Sequence, residues 1–270
     1  MGGVRSRRFR ASWSPTRHGS LLYDGRMIRT PGLVAVIGFL CGGCYIAAAG
    51  SALPFIPIDA PVNQVQSAAE RIVASFATRV IDLLDRGVPP SVEVRNTPNL
   101  AYFDHRSWTI VTAHWPTLGS PSREFFLKLT ETAEDAAALF VGLFNEFLVA
   151  HEMAHWLYRT VGIELDRYTS EREANDLAVA FFVASPNGQT RLLALRPRLE
   201  AALARLADPT PSGTGEQDFF NAQYGALARN PYLYGYYQFR FILDSIDRRA
   251  ELDFGSLLLE AIAKQPQSGP

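Results

Sequence analysis

The chain has 270 residues, of which 47% are hydrophobic and 20% are charged, and its formal net charge is −1. This balance is typical of a globular protein with a core of its own, and it excludes wholesale disorder. Because the charge is close to zero and no long basic run follows the N-terminal region, the composition indicates no nucleic-acid partner.

The N-terminal region has the pattern of an export signal or a membrane anchor. Residues 1–32 form a basic leader with seven arginines and a single acid, Asp24, and residues 33–52 are uncharged and mostly apolar. An apolar run of this length fits a signal peptide or a transmembrane segment, and the small residues at its end fit a cleavage site. Because the basic flank stays in the cytoplasm, the remainder is expected to be extracytoplasmic: secreted, periplasmic, or anchored to the membrane through this segment.

The rest of the chain is predicted to form a short linker and one domain of the α+β class. Three prolines predict a stiff linker over residues 53–61, and the domain is expected to occupy residues 62–270. After a helix over residues 62–86, apolar runs at residues 91–95, 100–103 and 107–113 predict a small antiparallel sheet. Thr132 can cap the next helix, and helices are predicted over residues 132–156, 170–184, 190–207, 217–227, 233–249 and 254–263.

One predicted helix contains His151, Glu152 and His155, the residues that point most clearly to chemistry. Two histidines four residues apart leave the same face of a helix, so their ring nitrogens can bind one zinc ion. Glu152 lies about 100° round the helix, where it can take a proton from water, as such a glutamate does in metalloproteases. The histidines continue the apolar stripe of Phe144 and Leu148, and this indicates that they point into the fold.

A third zinc ligand is expected from the following helix, since catalytic zinc sites commonly have three protein ligands. Glu171 and Glu173 both lie at a suitable place in the chain. Glu171 is closer to the apolar stripe of its helix, whereas Glu173 can form a capping box with Ser170 at the helix start. We therefore expect Glu171 to be the ligand and keep Glu173 as the reserve.

The order of these elements resembles the gluzincin metallopeptidases, in which a His-Glu-x-x-His helix is followed by a glutamate on a second helix. The likeness covers roughly residues 135–184. It implies a zincin-like fold, a peptide or protein substrate, and an edge strand before the zinc helix with which the substrate pairs. Residues 108–113 are the candidate strand, with His114 and Trp115 near the mouth of the cleft.

Further residues are expected around the zinc site. In the gluzincins an aspartate four residues after the ligand glutamate often steadies a histidine; this sequence has Asn175 there, followed by Asp176. Hydrolysis also needs a donor for the oxyanion that forms when water attacks a carbonyl. Tyr234, Tyr237 and Arg240 fall near one face of a predicted helix and are the candidate donors.

The sequence therefore favours zinc-dependent hydrolysis of peptide bonds by activated water. Zn²⁺ is expected to be held by His151, His155 and Glu171, with Glu152 as the general base. Two alternatives stay open at this point. One is a catalytically inactive zinc-binding domain that binds a partner protein, and the other is an anchored structural protein in which both motifs are accidental.

Overall fold

The computed structural model describes residues 52–84 and 87–264. The predicted leader lies outside these residues, as does the predicted signal or anchor segment except for its last residue. Within them the protein has the predicted α+β class, because it is mainly helical and carries a three-stranded sheet.

Nine α-helices account for most of the described residues. They are α1 (Val62–Leu84), α2 (Ser120–Leu129), α3 (Ala133–Phe140), α4 (Leu148–Val161), α5 (Arg167–Val183), α6 (Gly188–Leu203), α7 (Glu216–Leu227), α8 (Pro231–Asp247) and α9 (Phe254–Ala263). Every predicted helix is present, with ends shifted by a few residues. The sequence analysis missed α2, although a proline in its first turn and two inward phenylalanines, Phe125 and Phe126, are helix signals.

The sheet is mixed, so the prediction of an antiparallel sheet was wrong for one of its two pairings. Its strands are β1 (Ser91–Val94), β2 (Ala101–Asp104) and β3 (Thr109–Thr112), in the order β1-β3-β2. β2 and β3 are antiparallel, whereas β1 pairs with β3 in parallel. β3 is therefore the central strand and β2 an edge strand, which corrects the expectation that residues 108–113 form a free edge.

The helix that carries the histidines is longer and less regular than predicted. Thr132 caps it as expected, since its side chain accepts a hydrogen bond from the Asp135 N–H at 3.0 Å. A π-helix, Val141–Phe147, joins α3 to α4, so helical backbone continues from Ala133 to Val161. By length and composition this stretch could cross a membrane, but 78% of its most apolar window is buried inside the domain. α4 packs against α1, α5 and β2, and this core position accounts for the apolar composition.

Residues 53–60 belong to the domain, where the sequence predicted a linker. Leu53, Ile56 and Ala60 are buried in the main core. Arg191 of α6 donates a hydrogen bond to the Leu53 carbonyl at 3.3 Å and pairs with Glu146 of the π-helix at 2.5 Å. Arg191 therefore links residues 53–60 to α6 and to the π-helix.

We expect the Glu146–Arg191 pair to contribute more stability than an exposed pair. The two side chains are only 10% and 15% exposed, and removing one partner of a buried pair costs about 3–5 kcal/mol. Arg191→Met should lower the free energy of unfolding in urea by about 3 kcal/mol. The matched control is Arg196→Met, whose acidic partners are 46% and 55% exposed and which should cost less than about 1 kcal/mol. Equal losses for the two variants would contradict the expectation.

Candidate metal centre

Two histidine side chains of α4 point toward one place. His151 is buried and His155 is half-buried, and their Nε2 atoms are 3.1 Å apart. Their rings meet edge to face, with an interplanar angle of 79°. The spacing of four residues on one helix produces this convergence, as the sequence predicted.

Glu171 joins the two histidines from α5. Its Oε2 atom lies 3.3 Å from Nε2 of His151, and the ligand atoms of all three residues lie within 4.8 Å of one another. Ligands at about 2.1 Å from a tetrahedral zinc ion are about 3.4 Å apart, so both of the short separations fit one shared ion. The cluster of His151, His155 and Glu171, called here the ligand cluster, could therefore hold a metal ion.

Neighbouring side chains fix the orientation of the ligand cluster. Asn175 Oδ1 accepts a hydrogen bond from Nδ1 of His151 at 2.8 Å, as expected for a residue that steadies a histidine. When His151 is neutral its proton is therefore on Nδ1, and Nε2 presents a lone pair to the cluster. Gln238 of α8 donates to Glu171 Oε2 at 2.8 Å. Lone pairs thus converge from two imidazoles and a carboxylate, an arrangement that suits a cation.

The pKa values of the ligand cluster also favour a cation. Burial lowers the pKa of His155 to about 4, so its ring is neutral at pH 7. Burial alone would raise the pKa of Glu171, but the hydrogen bond from His151 and the two imidazole rings hold it at about 2. Burial opposes a charge on His151 as well, yet Glu171 raises its pKa. A proton on His151 and a divalent cation are thus alternative ways to balance the Glu171 carboxylate.

Glu152 lies beside the ligand cluster, and β2 holds its side chain in place. The Glu152 carboxylate accepts a hydrogen bond from the backbone N–H of Phe103 at 2.8 Å. Burial raises the pKa of Glu152 to about 7. A carboxyl group with a pKa near neutrality can both accept and return a proton at physiological pH.

The ligand cluster and Glu152 line a cleft with a volume of about 1080 Å³. The rest of its lining comes from β2 and the residues on either side of it, from α2, the π-helix, α4 and α5, and from α7, α8 and the residues between them. A cleft of this size is large enough for a segment of several peptide residues.

Tyr234 is the one predicted oxyanion donor that lines the cleft. Its hydroxyl accepts a hydrogen bond from Gln238 Nε2 at 2.9 Å. Burial raises the pKa of Tyr234 well above its usual range, so the hydroxyl keeps its proton at neutral pH. Tyr234 therefore presents a possible donor close to Glu171.

Tyr237 and Arg240 were predicted to share this face, but the structure gives neither of them a place in the cleft lining. The Tyr237 hydroxyl is 2.6 Å from Oγ1 of Thr210, and Arg240 pairs with Glu216. The turn of α8 directs both side chains away from the ligand cluster and toward α7 and the loop before it.

Glu173 and Asp176 also lie away from the ligand cluster. Glu173 pairs with Lys264 at 2.7 Å, and the predicted capping box is absent because Asp166 caps α5 and Ser170 lies inside the helix. Asp176 accepts hydrogen bonds from Ser245 and Arg248, both at 2.6 Å. Glu171 is therefore the acid that contacts the histidines. Of Asn175 and Asp176, only Asn175 contacts a histidine.

His114 and Trp115 are not at the cleft mouth, where the resemblance had led us to expect them. His114 is buried, with Nε2 2.8 Å from the Ala60 carbonyl. The Trp115 ring packs against Phe126 and Phe140, at centroid distances of 6.2 and 5.3 Å. His114 thus contacts the N-terminal segment of the domain, and Trp115 is part of the aromatic core.

The structure adds two residues that the sequence analysis did not identify. Gln238 follows Tyr234 by one helical turn, so its spacing on α8 was a usable signal. Tyr224 comes from α7, its ring meets that of Tyr234 edge to face at a centroid distance of 6.1 Å, and burial raises its pKa to about 12. No spacing in the sequence connects Tyr224 with the histidines, because tertiary packing alone brings α7 to the cleft.

The described residues therefore place the ligand cluster around one cleft together with Glu152, Tyr224 and Tyr234. Comparison with known proteins finds no match to this chain among protein-family models, curated proteins or solved structures.

Proposed function

We propose that this chain is a zinc-dependent peptidase of the gluzincin type. The observation that carries the proposal is the convergence of His151, His155 and Glu171 at a cleft, with the Glu152 carboxylate beside them. Structural zinc sites are usually closed by four protein ligands, whereas catalytic sites use three and keep a position for water or substrate. A three-ligand cluster that opens on a cleft fits the catalytic kind.

Two imidazoles and a carboxylate are a donor set that suits zinc. When bound there, zinc would lower the pKa of a water molecule and polarise the carbonyl of the scissile bond. The protein's part is to hold the three side chains in one arrangement. Asn175 does so for His151 and Gln238 does so for Glu171, each through a hydrogen bond of 2.8 Å.

Glu152 is assigned the role of general base. It accepts the proton of the attacking water and then passes it to the leaving amine. Two observations support this role: its pKa of about 7 and the hydrogen bond from Phe103 that holds its carboxylate beside the ligand cluster.

The edge strand β2 is assigned the role of pairing with the substrate. Because the Phe103 N–H points to Glu152, the carbonyls of Ala101 and Phe103 also face away from β3. An extended peptide could add to this edge by donating main-chain hydrogen bonds to these two carbonyls. β2 therefore takes the part that the resemblance had assigned to residues 108–113, and its packing against α4 supports a zincin-like arrangement.

Replacing Glu152 tests the enzyme against the inactive zinc-binding alternative. Wild-type protein should hold about one zinc per chain and cleave unfolded protein, and Glu152→Gln should keep the zinc but lose about 10²- to 10⁴-fold in kcat/KM. Zinc content by atomic absorption and peptide-release kinetics measure both. His151→Ala, as the control, should lose the zinc. Bound zinc without turnover in the wild type would favour the inactive zinc-binding domain. Absence of zinc would refute both the peptidase and the inactive zinc-binding domain.

Replacing Asn175 tests whether it steadies His151. Asn175→Leu removes the acceptor for Nδ1 and should weaken zinc affinity by about 10- to 100-fold in competition with a chelator. Asn175→Asp supplies a charged acceptor and should bind zinc at least as tightly as the wild type. Asp176→Asn is the matched control, because Asp176 bonds to Ser245 and Arg248 instead. An equal effect at positions 175 and 176 would refute the assignment.

Tyr234 is assigned the role of oxyanion donor, with Tyr224 next to it. Removing one such donor typically lowers kcat by about 10²- to 10³-fold. Tyr234→Phe should therefore lower kcat while zinc content stays unchanged, as measured by steady-state kinetics on a quenched peptide. Tyr237→Phe should keep its activity, since that hydroxyl faces Thr210. A larger loss in Tyr237→Phe would show that the wrong tyrosine was chosen.

A further inference from the structure

The lining of the cleft changes from apolar to basic along the π-helix and α4. Phe144 and Leu148 line it on the N-terminal side of His151, and the neighbouring Phe125 extends this apolar part. Arg159 lines it on the C-terminal side of the histidines. Apolar side chains and a cation therefore lie on opposite sides of the ligand cluster.

Two of the arginines in the lining are placed by helix geometry. Arg159 follows His155 by four residues on α4, and Arg167 precedes Glu171 by four residues on α5. Each therefore lies on the same helix face as a member of the ligand cluster, about 6 Å further along the axis. Since a short loop joins the two packed helices, both arginines are at the end of the cleft next to that loop.

A third arginine lies in the same part of the cleft. The Arg167 guanidinium is 5.1 Å from the centroid of the Tyr224 ring. Arg229 follows α7, and its Nη1 lies 3.8 Å from where a Cβ on Gly225 would be, next to Tyr224. Arg159, Arg167 and Arg229 are called here the basic end of the cleft.

The three arginines of the basic end carry a positive charge that no ion pair offsets within residues 52–84 and 87–264. Among the described residues none of its three arginines forms an ion pair, whereas other arginines of the domain do, such as Arg172 with Asp244. The carboxylates in the cleft lining are those of Glu152 and Glu171, which the metal centre uses. Asp166 precedes Arg167 but caps α5 and accepts a hydrogen bond from Asn221 at 2.7 Å.

We propose that the basic end of the cleft binds a carboxylate of the substrate, either an acidic side chain or a free C-terminus. This inference rests on the proposed peptidase function. Guanidinium groups match carboxylates in both charge and shape. A separation of about 6 Å from the ligand cluster corresponds to about two residues of an extended peptide. The carboxylate therefore belongs within about two residues of the scissile bond, on the side away from Phe144 and Leu148.

The test measures binding to zinc-loaded Glu152→Gln protein, so that no turnover is needed. The probes are fluorescein-labelled ten-residue peptides of alanine and leucine that carry Glu, Gln or Lys at each position in turn, with an amidated or a free C-terminus. At its preferred position, Glu should bind about five- to tenfold more tightly than Gln by fluorescence anisotropy. High salt should reduce that preference.

The double variant Arg159→Gln, Arg167→Gln should bring the ratio of the two dissociation constants close to one. Both side chains are exposed, so the fold should tolerate the change. Arg71→Gln is the matched control, because Arg71 is an exposed arginine of α1 outside the cleft, and this variant should keep the full ratio. A preference for the free over the amidated peptide, without a preference for Glu, would identify the C-terminus as the source of the carboxylate.

The outcomes separate this proposal from the peptidase proposal. If the double variant keeps the preference of the parent, or if the parent prefers neither Glu nor a free C-terminus, the carboxylate site is overturned even where wild-type protein cleaves peptides. If the arginine-dependent preference is found but wild-type protein cleaves nothing, the carboxylate site stands and the peptidase proposal fails.

Discussion

Two imidazole nitrogens and a carboxylate oxygen lie within 4.8 Å of one another in the interior of the domain, and the rest of the site depends on this concentration of acceptor atoms. Buried acceptors that face one another are unfavourable unless a proton or a cation lies between them. Hydrogen bonds from His151 to Asn175 and from Gln238 to Glu171 keep the atoms in place. A divalent cation, as proposed above, would satisfy all three side chains at once.

One face of the continuous helix Ala133–Val161 carries both apolar side chains and the two histidines of the ligand cluster. Phe144, Leu148, His151, His155 and Arg159 follow one another at spacings of three or four residues, and all five line the cleft. The row therefore changes from apolar side chains to the ligand cluster and then to a cation. Because α4 is packed against α1, α5 and β2, the face cannot turn without disturbing the core. The rigidity of the fold thus sets the order in which a bound peptide would meet these groups.

Helical periodicity predicted the ligand cluster well, because it depends on contacts within a helix and between neighbouring helices. The spacing selected His151 and its partner, and the apolar stripe of α5 selected Glu171. Pairings between distant segments were not predictable in this way: an alternating strand pattern does not encode the direction of its neighbour, and β1 pairs in parallel. Tyr237 shares a helix with Tyr234 but faces α7, and only tertiary packing decides which of the two lines the cleft.

The most direct test of the account is anomalous X-ray diffraction at the zinc absorption edge, on crystals of the protein grown with zinc. The account predicts one strong peak within about 2.0–2.2 Å of His151 Nε2, His155 Nε2 and a Glu171 oxygen, with a coordination position open to the cleft. A peak bound by other residues, or no peak at these three side chains, would contradict it.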